Sequence, residues 1–323
     1  MPEGPAWSST SSALYSSLMI LNLVDGKLPI PPHITHVAIE IGCNGHDLQW
    51  LQPPPKGTNV SGLDPHTPIR LQKHVLLIAF EPLLDKWAGY LTTQRATQWK
   101  IIEKPHQPGW AAEDRLVVLP FALHPNGNSG RQQVRQAELA PSGRHPHGEN
   151  SSDETTTRRS MPVGIPFNVA ASDGCSSFLK QSKQIKGITA SGRRQLAVSF
   201  LEKCSTLWYR TEVPAVSLET VIGEWLGGRT ISFVKIDAEG FDLEVAKSVG
   251  SMANRVRSFT LEVTGDKCTR PLQGISNRCS DVVSSMRELG FSTDQPCALL
   301  SGTVLGDSKG ACQGNMVFNA ISP

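Results

Sequence analysis

The chain is predicted to fold as an α/β protein, with a mainly parallel sheet covered by helices on both faces. Two observations predict this. The apolar run from Ile231 to Ile236 ends abruptly in Asp237, Glu239 and Gly240, and an amphipathic pattern then begins. A buried parallel strand reads this way where it delivers side chains to its carboxyl end and turns into a helix. Other short apolar runs alternate with helix-period segments, which implies right-handed crossovers and parallel pairing. Ligands of open α/β sheets bind in the crevice at the carboxyl ends of the strands, so Asp237 and Glu239 are candidate site residues.

The elements follow in order. Residues 1–33 read as a loosely ordered lead-in that closes on Pro29, Pro31 and Pro32, and 34–323 as one domain. Residues 37–41 form a short buried strand, followed by Gly42-Cys43-Asn44-Gly45. The stretch 52–68, with Pro53, Pro54, Pro55, Pro65 and Pro68, is a loop. Residues 74–80 form a second strand that ends in Glu81-Pro82, and a helix is expected over 83–98. Residues 115–119 form a third. The segment 124–164 is dense in Ser, Gly, Asn, Pro and charge and nearly free of large apolar side chains. Such a segment buries too little surface to offset its ordering entropy and is expected to be a disordered insertion. Its His145 and His147 read as a solvated pair rather than metal ligands. Order is expected again near Phe167.

Ser217 is a good N-cap, Leu218, Val221, Ile222 and Trp225 share one helical face, and Gly227-Gly228 ends that helix. A helix over 241–249 closes at Gly250. Phe259, Leu261 and Val263 alternate as on a strand. Ser280 is expected to cap a helix carrying Val282, Val283, Met286 and Leu289, which stops at Gly290. Met316-Val317-Phe318 reads as the last strand. Trp208, Tyr209 and Trp225 are expected in the core.

Composition excludes more than it identifies. The net charge is +2, and no basic stripe of the kind that binds nucleic acid occurs. No run approaches the ~20 apolar residues of a membrane span. Seven cysteines form no CxxC pair and match no zinc spacing, so buried or free thiols are expected, with disulfides the alternative for a secreted chain. With no basic region ahead of the apolar residues 18–24, a soluble, cytoplasmic chain is expected.

A Gly-rich turn after a strand that ends in an acid, Glu40-Ile41-Gly42-Cys43-Asn44-Gly45, lets a ligand approach the backbone closely. Glu81, at the end of the next strand, is placed to accept both hydroxyls of a ribose. Together they point to a nucleoside-shaped site. The sequence order EIGCN, AFEP, FALH, SLETVI, FVKIDAEGFDLEVAKSVG and FTLEV resembles the FkbM-type family of S-adenosylmethionine-dependent methyltransferases over roughly residues 36 to 264. The resemblance implies a Rossmann-like class I methyltransferase fold with a seven-stranded, mostly parallel sheet. It implies cofactor contacts at Glu40, Gly42, Asn44 and Glu81, and an acidic pair at the active-site edge, Asp237 and Glu239. The second glycine follows Asn44 directly, one residue earlier than in the family's usual turn.

The function so implied is transfer of a methyl group from S-adenosylmethionine to a hydroxyl of a small molecule or sugar. Asp237 and Glu239 would serve as base or acceptor holder, with binding of a divalent cation that lowers the hydroxyl pKa as the second option; no metal ligand is assigned. Lys235 is expected to play a structural part, either pairing with a strand-end carboxylate or snorkelling to the edge, and Glu262 to border the crevice or stand as an ordinary edge acid. Two other classes fit more loosely: a nicotinamide-dependent oxidoreductase, which usually wants G-x-G-x-x-G, and a non-catalytic binding module that keeps the fold.

Overall fold

The computed structural model describes residues 26–42, 48–83, 86, 110–111, 115–128, 163–171, 176–181, 202–204, 206–268, 272–273, 277–301 and 312–321. Its centre is a mixed, mostly parallel sheet. The strands are β1 (His36–Ile41), β2 (Val75–Phe80), β3 (Trp110–Ala111), β4 (Leu116–Leu119), β5 (Ala122–Leu123), β6 (Val163–Ala170), β7 (Lys180–Gln181), β8 (Leu207–Val216), β9 (Ile231–Ile236), β10 (Ser258–Thr264), β11 (Leu272–Gln273), β12 (Phe291–Ser292) and β13 (Gln313–Ala320). The main sheet has the order β12-β13-β10-β9-β1-β2-β4-β3. Strands β10, β9, β1, β2 and β4 run parallel. Strand β13 runs against β10, and the two-residue β3 runs against β4 at the far edge. The expected seven-stranded sheet is thus present, with β3 as an added edge strand.

Period-two alternation explains why this sheet is buried on both sides. Val37, Ile39 and Ile41 of β1, Leu76, Ile78 and Phe80 of β2, and Val234 and Ile236 of β9 enter one core layer. Ala38, Leu77, Ala79 and Phe233 enter the other. The first layer is closed by three helices among the described residues. These are α1 (Leu218–Thr220), which continues as a π-helix over Val221–Trp225, α2 (Asp242–Lys247) and α3 (Cys279–Glu288). The second is covered by Trp50 and Ile69 from short 3-10 turns in the proline-rich segment. The helix expected over 83–98 lies almost wholly outside the described residues.

Several expectations hold at the level of single groups. The Ser217 hydroxyl accepts from the Thr220 amide and caps α1. Gly290, at φ 88°, follows α3. The end of the lead-in is packed rather than loose: Leu28 is buried and donates its N–H to the Trp225 carbonyl.

Others need correction. Gly250 opens a 3-10 turn over Gly250–Arg255 instead of ending the chain's helical path. Ser280 is not a cap. It lies inside α3, whose N-cap is Arg278, and the first turn is tied by Asp266, whose Oδ1 accepts from both the amide and the hydroxyl of Ser280. Two edges of the expected insertion are ordered, as a 3-10 turn over Pro125–Asn128 and as the start of β6 at Val163, while 129–162 lies outside the described residues. Strand β6 pairs antiparallel with β8, a ten-residue strand the apolar pattern did not reveal, and β5 adds parallel to the end of β8. Its first half is exposed, so Trp208, 71 % accessible, and Tyr209 are surface side chains; Trp225 alone of the three is core.

The five cysteines among the described residues are not free thiols. Cys268 bridges Cys312 and Cys279 bridges Cys297, each pair with Cα atoms 5.6 Å apart, and Cys204 is disulfide-bonded as well. Spacing could not show this, because the partners are brought together by the pairing of β10 with β13 and the packing of α3. Among the described residues no helix is long and apolar enough to cross a membrane.

Candidate functional site

From β1 the chain moves outward through β2 to β4; it later returns to the other side of β1 as β9 and moves outward again through β10. The connections therefore leave β1 and β9 in opposite directions, which opens a crevice at their carboxyl ends. A cavity of about 210 Å³ lies there. It is lined by strand ends: Ile41 at the end of β1 with Gly42 after it, Glu81 to Leu83 after β2, and Asp237 to Glu239 after β9. Lys86, Phe167 and Phe178 form the opposite wall.

Gly42 is required by the geometry. Its φ is +79°, and a Cβ there would sit 1.7 Å from the Asp237 carbonyl oxygen. The same junction is tied by the Gly42 amide to the Phe80 carbonyl at 3.1 Å and by the Asp237 amide to the Ile41 carbonyl at 2.9 Å. Three strand ends are thus locked side by side by backbone hydrogen bonds. Glu81, 3 % accessible, is fixed at the cavity by its own amide, which donates to the Leu119 carbonyl, and by its Oε1, which accepts from the Leu83 amide at 3.0 Å.

Glu40 lies behind the cavity rather than on its surface. It is fully buried, and its Oε2 accepts from the Gln49 amide at 2.7 Å, which closes the turn after β1. Its Oε1 pairs with Lys235 Nζ at 3.2 Å. The two residues are register partners on β1 and β9, on one face of the sheet. Lys235 itself lines the cavity, so of its two expected roles the ion pair forms, and Glu40 acts through it. Burial raises the Glu40 carboxyl above its ordinary value, and Lys235 and the Gln49 amide oppose that rise. Asn44 lies outside the described residues.

Asp237 and Glu239 do meet at the cavity, and two further acids stand behind them. Asp242, fully buried at the start of α2, accepts from the Gly240 amide at 3.1 Å and the Glu262 amide at 3.2 Å, clamping the loop after β9 to β10. The Asn277 side-chain amide donates to the Glu262 carbonyl beside it. Burial pushes Glu239 well above the usual carboxylate range, and Asp237, Glu262 and Asp242 push it further; Lys86 opposes them. Asp242 is raised well above its ordinary value by burial and by the charges of Glu262 and Asp237. Burial and Asp237 raise Glu262 to about 7, against the pull of Gln313 and Lys235. Like charges in a low-dielectric site favour protonation in this way. Glu239 also has φ +50°, a left-handed conformation costly for a residue with a side chain. Strain of this kind gathers at functional sites.

The aromatic wall is a ring cluster. Phe178 lies 5.0 Å from Phe167 and 5.2 Å from Phe241, and His124 stacks on Phe241 at 5.0 Å. Burial lowers the His124 pKa to about 4, and its Nδ1 accepts from the Asn126 amide, so this imidazole is a neutral packing group. Lys86, Phe178, Asp242 and Asn277 were not singled out from the sequence. Asp242 reads there as an ordinary first-turn acid, and Asn277 reaches the site only through the pairing of Thr264 with Arg278. Among the described residues no group of His, Cys, Asp and Glu has an arrangement that could hold a metal ion. Comparison with protein-family models, curated proteins and solved structures returns no match.

Two outcomes follow from this geometry. Gly42→Ala forces the backbone of β1 away from β9 and is expected to lower unfolding free energy by about 2–4 kcal/mol, the range for αL strain combined with a backbone clash; an unchanged denaturation midpoint contradicts the close approach. The second concerns pH. Glu262 is raised from 4.5 to about 7, so between those values the folded state binds more protons than the unfolded one, and stability falls as pH rises through the window. Urea unfolding at intervals from pH 4.5 to 7 is expected to show that decline, and Glu262→Gln to flatten it. A steeper decline in the variant speaks against the acid cluster.

Proposed function

We propose that this chain is an S-adenosylmethionine-dependent methyltransferase that methylates a hydroxyl of a small molecule or sugar. The observation that carries this reading is the convergence of Gly42, Glu81, Asp237 and Glu239 on one cavity at the sheet's switch point. The residues present suit a nucleoside. A glycine allows close approach of the β1 turn, a buried carboxylate at the end of β2 matches a ribose diol, and Leu83 and Phe121 supply apolar surface. When bound, the cofactor would supply an electrophilic methyl group on a sulfonium.

The protein's own part is alignment and proton handling. Displacement at the methyl carbon proceeds in line, so most of the rate gain comes from holding the acceptor oxygen in the right direction. Asp237 holds the acceptor's hydroxyl. Glu239 takes its proton as the new bond forms: a carboxyl made more basic by burial among acids is the better match to a hydroxyl at neutral pH. Phe167 and Phe178 exclude water from that side of the cavity.

Isothermal titration calorimetry with S-adenosylmethionine and S-adenosylhomocysteine tests the reading. The folded chain is expected to bind both. Glu81→Ala is expected to weaken binding about 10–100-fold, the cost of losing charged hydrogen bonds to a diol, whereas Asp237→Ala leaves affinity within a few-fold and lowers turnover. No binding by well-folded protein, binding of NAD(H) instead, or equal affinity losses in the two variants contradicts it.

A further inference from the structure

The bridged cysteines concern the setting in which the chain works. Four of them fasten one corner of the fold. Cys268, just beyond β10, joins Cys312, just before β13, across 44 residues, and Cys279 at the start of α3 joins Cys297 across 18. Cys268, Cys312 and Cys279 are 4 %, 3 % and 0 % accessible. Cys204, also fully buried, is disulfide-bonded as well. Each described Cα separation falls within the range a disulfide spans without moving the backbone. Buried cysteines with no CxxC spacing do not suit a redox catalyst, which needs an exposed, low-pKa thiol. They do not suit a metal either, since no metal-holding group occurs among the described residues. Chains rich in structural disulfides belong to oxidising surroundings, with hyperthermophile interiors as the exception. That exception goes with ion-pair-rich surfaces, and only 19 % of these residues are charged, against about 25 % in an average domain.

We infer that this protein acquires its structural disulfides from a protein disulfide donor and works in an oxidising compartment or outside the cell, not in the cytoplasm expected from its first residues. In each step two cysteine thiols lose two protons and two electrons and form one S–S bond; the donor's disulfide takes them up and leaves as a dithiol. The Cys268–Cys312 bond also bears on the site. The Gly265 amide donates to the Cys312 carbonyl at 2.8 Å, and the adjacent Gln313 hydrogen-bonds Glu262 behind Asp237. For the acceptor, and here the inference rests on the methyl-transfer reading, it selects hydroxyls presented in that compartment, such as those of glycans.

The experiment is thiol trapping on the full chain isolated from its native source. Maleimide labelling of the denatured, unreduced protein is expected to leave Cys204, Cys268, Cys279, Cys297 and Cys312 unmodified, and to modify all seven cysteines after reduction. Peptide mapping is expected to recover Cys268 linked to Cys312 and Cys279 linked to Cys297. Dithiothreitol is expected to shift the unfolding equilibrium by about 10²–10³-fold per bond, and to shift it less in a Cys268→Ser/Cys312→Ser variant. Label at those four positions without reductant, recovery of the chain from the cytosol, or indifference of the wild-type chain to dithiothreitol overturns the inference. Cofactor binding is measured separately, so a bridged chain that binds no S-adenosylmethionine sinks the methyl-transfer reading and leaves this one standing.

Discussion

The ends of β1 and β9 lie side by side because residue 42 carries no Cβ. The space a side chain would need is filled by the Asp237 carbonyl, and the +79° φ of Gly42 turns the chain away just where β1 ends. Everything at the cavity is placed relative to that contact. The Ile41 carbonyl takes the Asp237 amide, the Phe80 carbonyl takes the Gly42 amide, and Glu81 follows directly. A larger residue at this point would separate the strands whose end groups make the site. The requirement is one of sterics, and it ties the fold to the chemistry at a single backbone junction.

The second constraint is electrostatic. Five acids, Glu40, Asp237, Glu239, Asp242 and Glu262, gather around strand ends that are partly closed to water, while Lys235 and Lys86 offer the opposite charge. A buried charge is tolerated when paired and hydrogen-bonded. Glu40 meets this condition through Lys235 and the Gln49 amide. Asp242 meets part of it through two backbone amides. At Glu239 and Glu262, burial and neighbouring acids outweigh the opposing Lys86, Gln313 and Lys235, and both carboxyls hold their protons more tightly. That arrangement suits chemistry in which a proton must be taken near neutral pH, and it costs stability as the pH rises.

Much of this frame was legible in the sequence because the main strands are short apolar runs bounded by glycines, prolines or acids. Residues 231–236 and 75–80 carry no competing pattern, so their ends could be placed to within a residue. A lysine set between apolar residues suggested either a strand-end carboxylate partner or a snorkelled side chain; that the partner is Glu40 follows only from the fold. Other features depend on contacts far apart in the chain. The disulfides join cysteines 44 and 18 residues apart that only folding brings together. Strand β8 is hidden because its first half, with Trp208 and Tyr209, faces outward and shows no buried alternation. The first-turn amide of Ser280 in α3 is satisfied by Asp266, 14 residues before it, while Ser280, of the right type for a cap, stands inside the helix. That Glu40 lies behind the cavity could not be known without the register that sets it opposite Lys235.

The central claim is that one nucleoside-sized hollow sits where the ends of β1, β2 and β9 meet. Diffraction from crystals grown with S-adenosylhomocysteine tests it most directly. The account predicts density for the ribose against the Glu81 carboxylate and for the thioether facing Asp237. Solvent alone in that hollow, or the ligand bound elsewhere on the molecule, would contradict it.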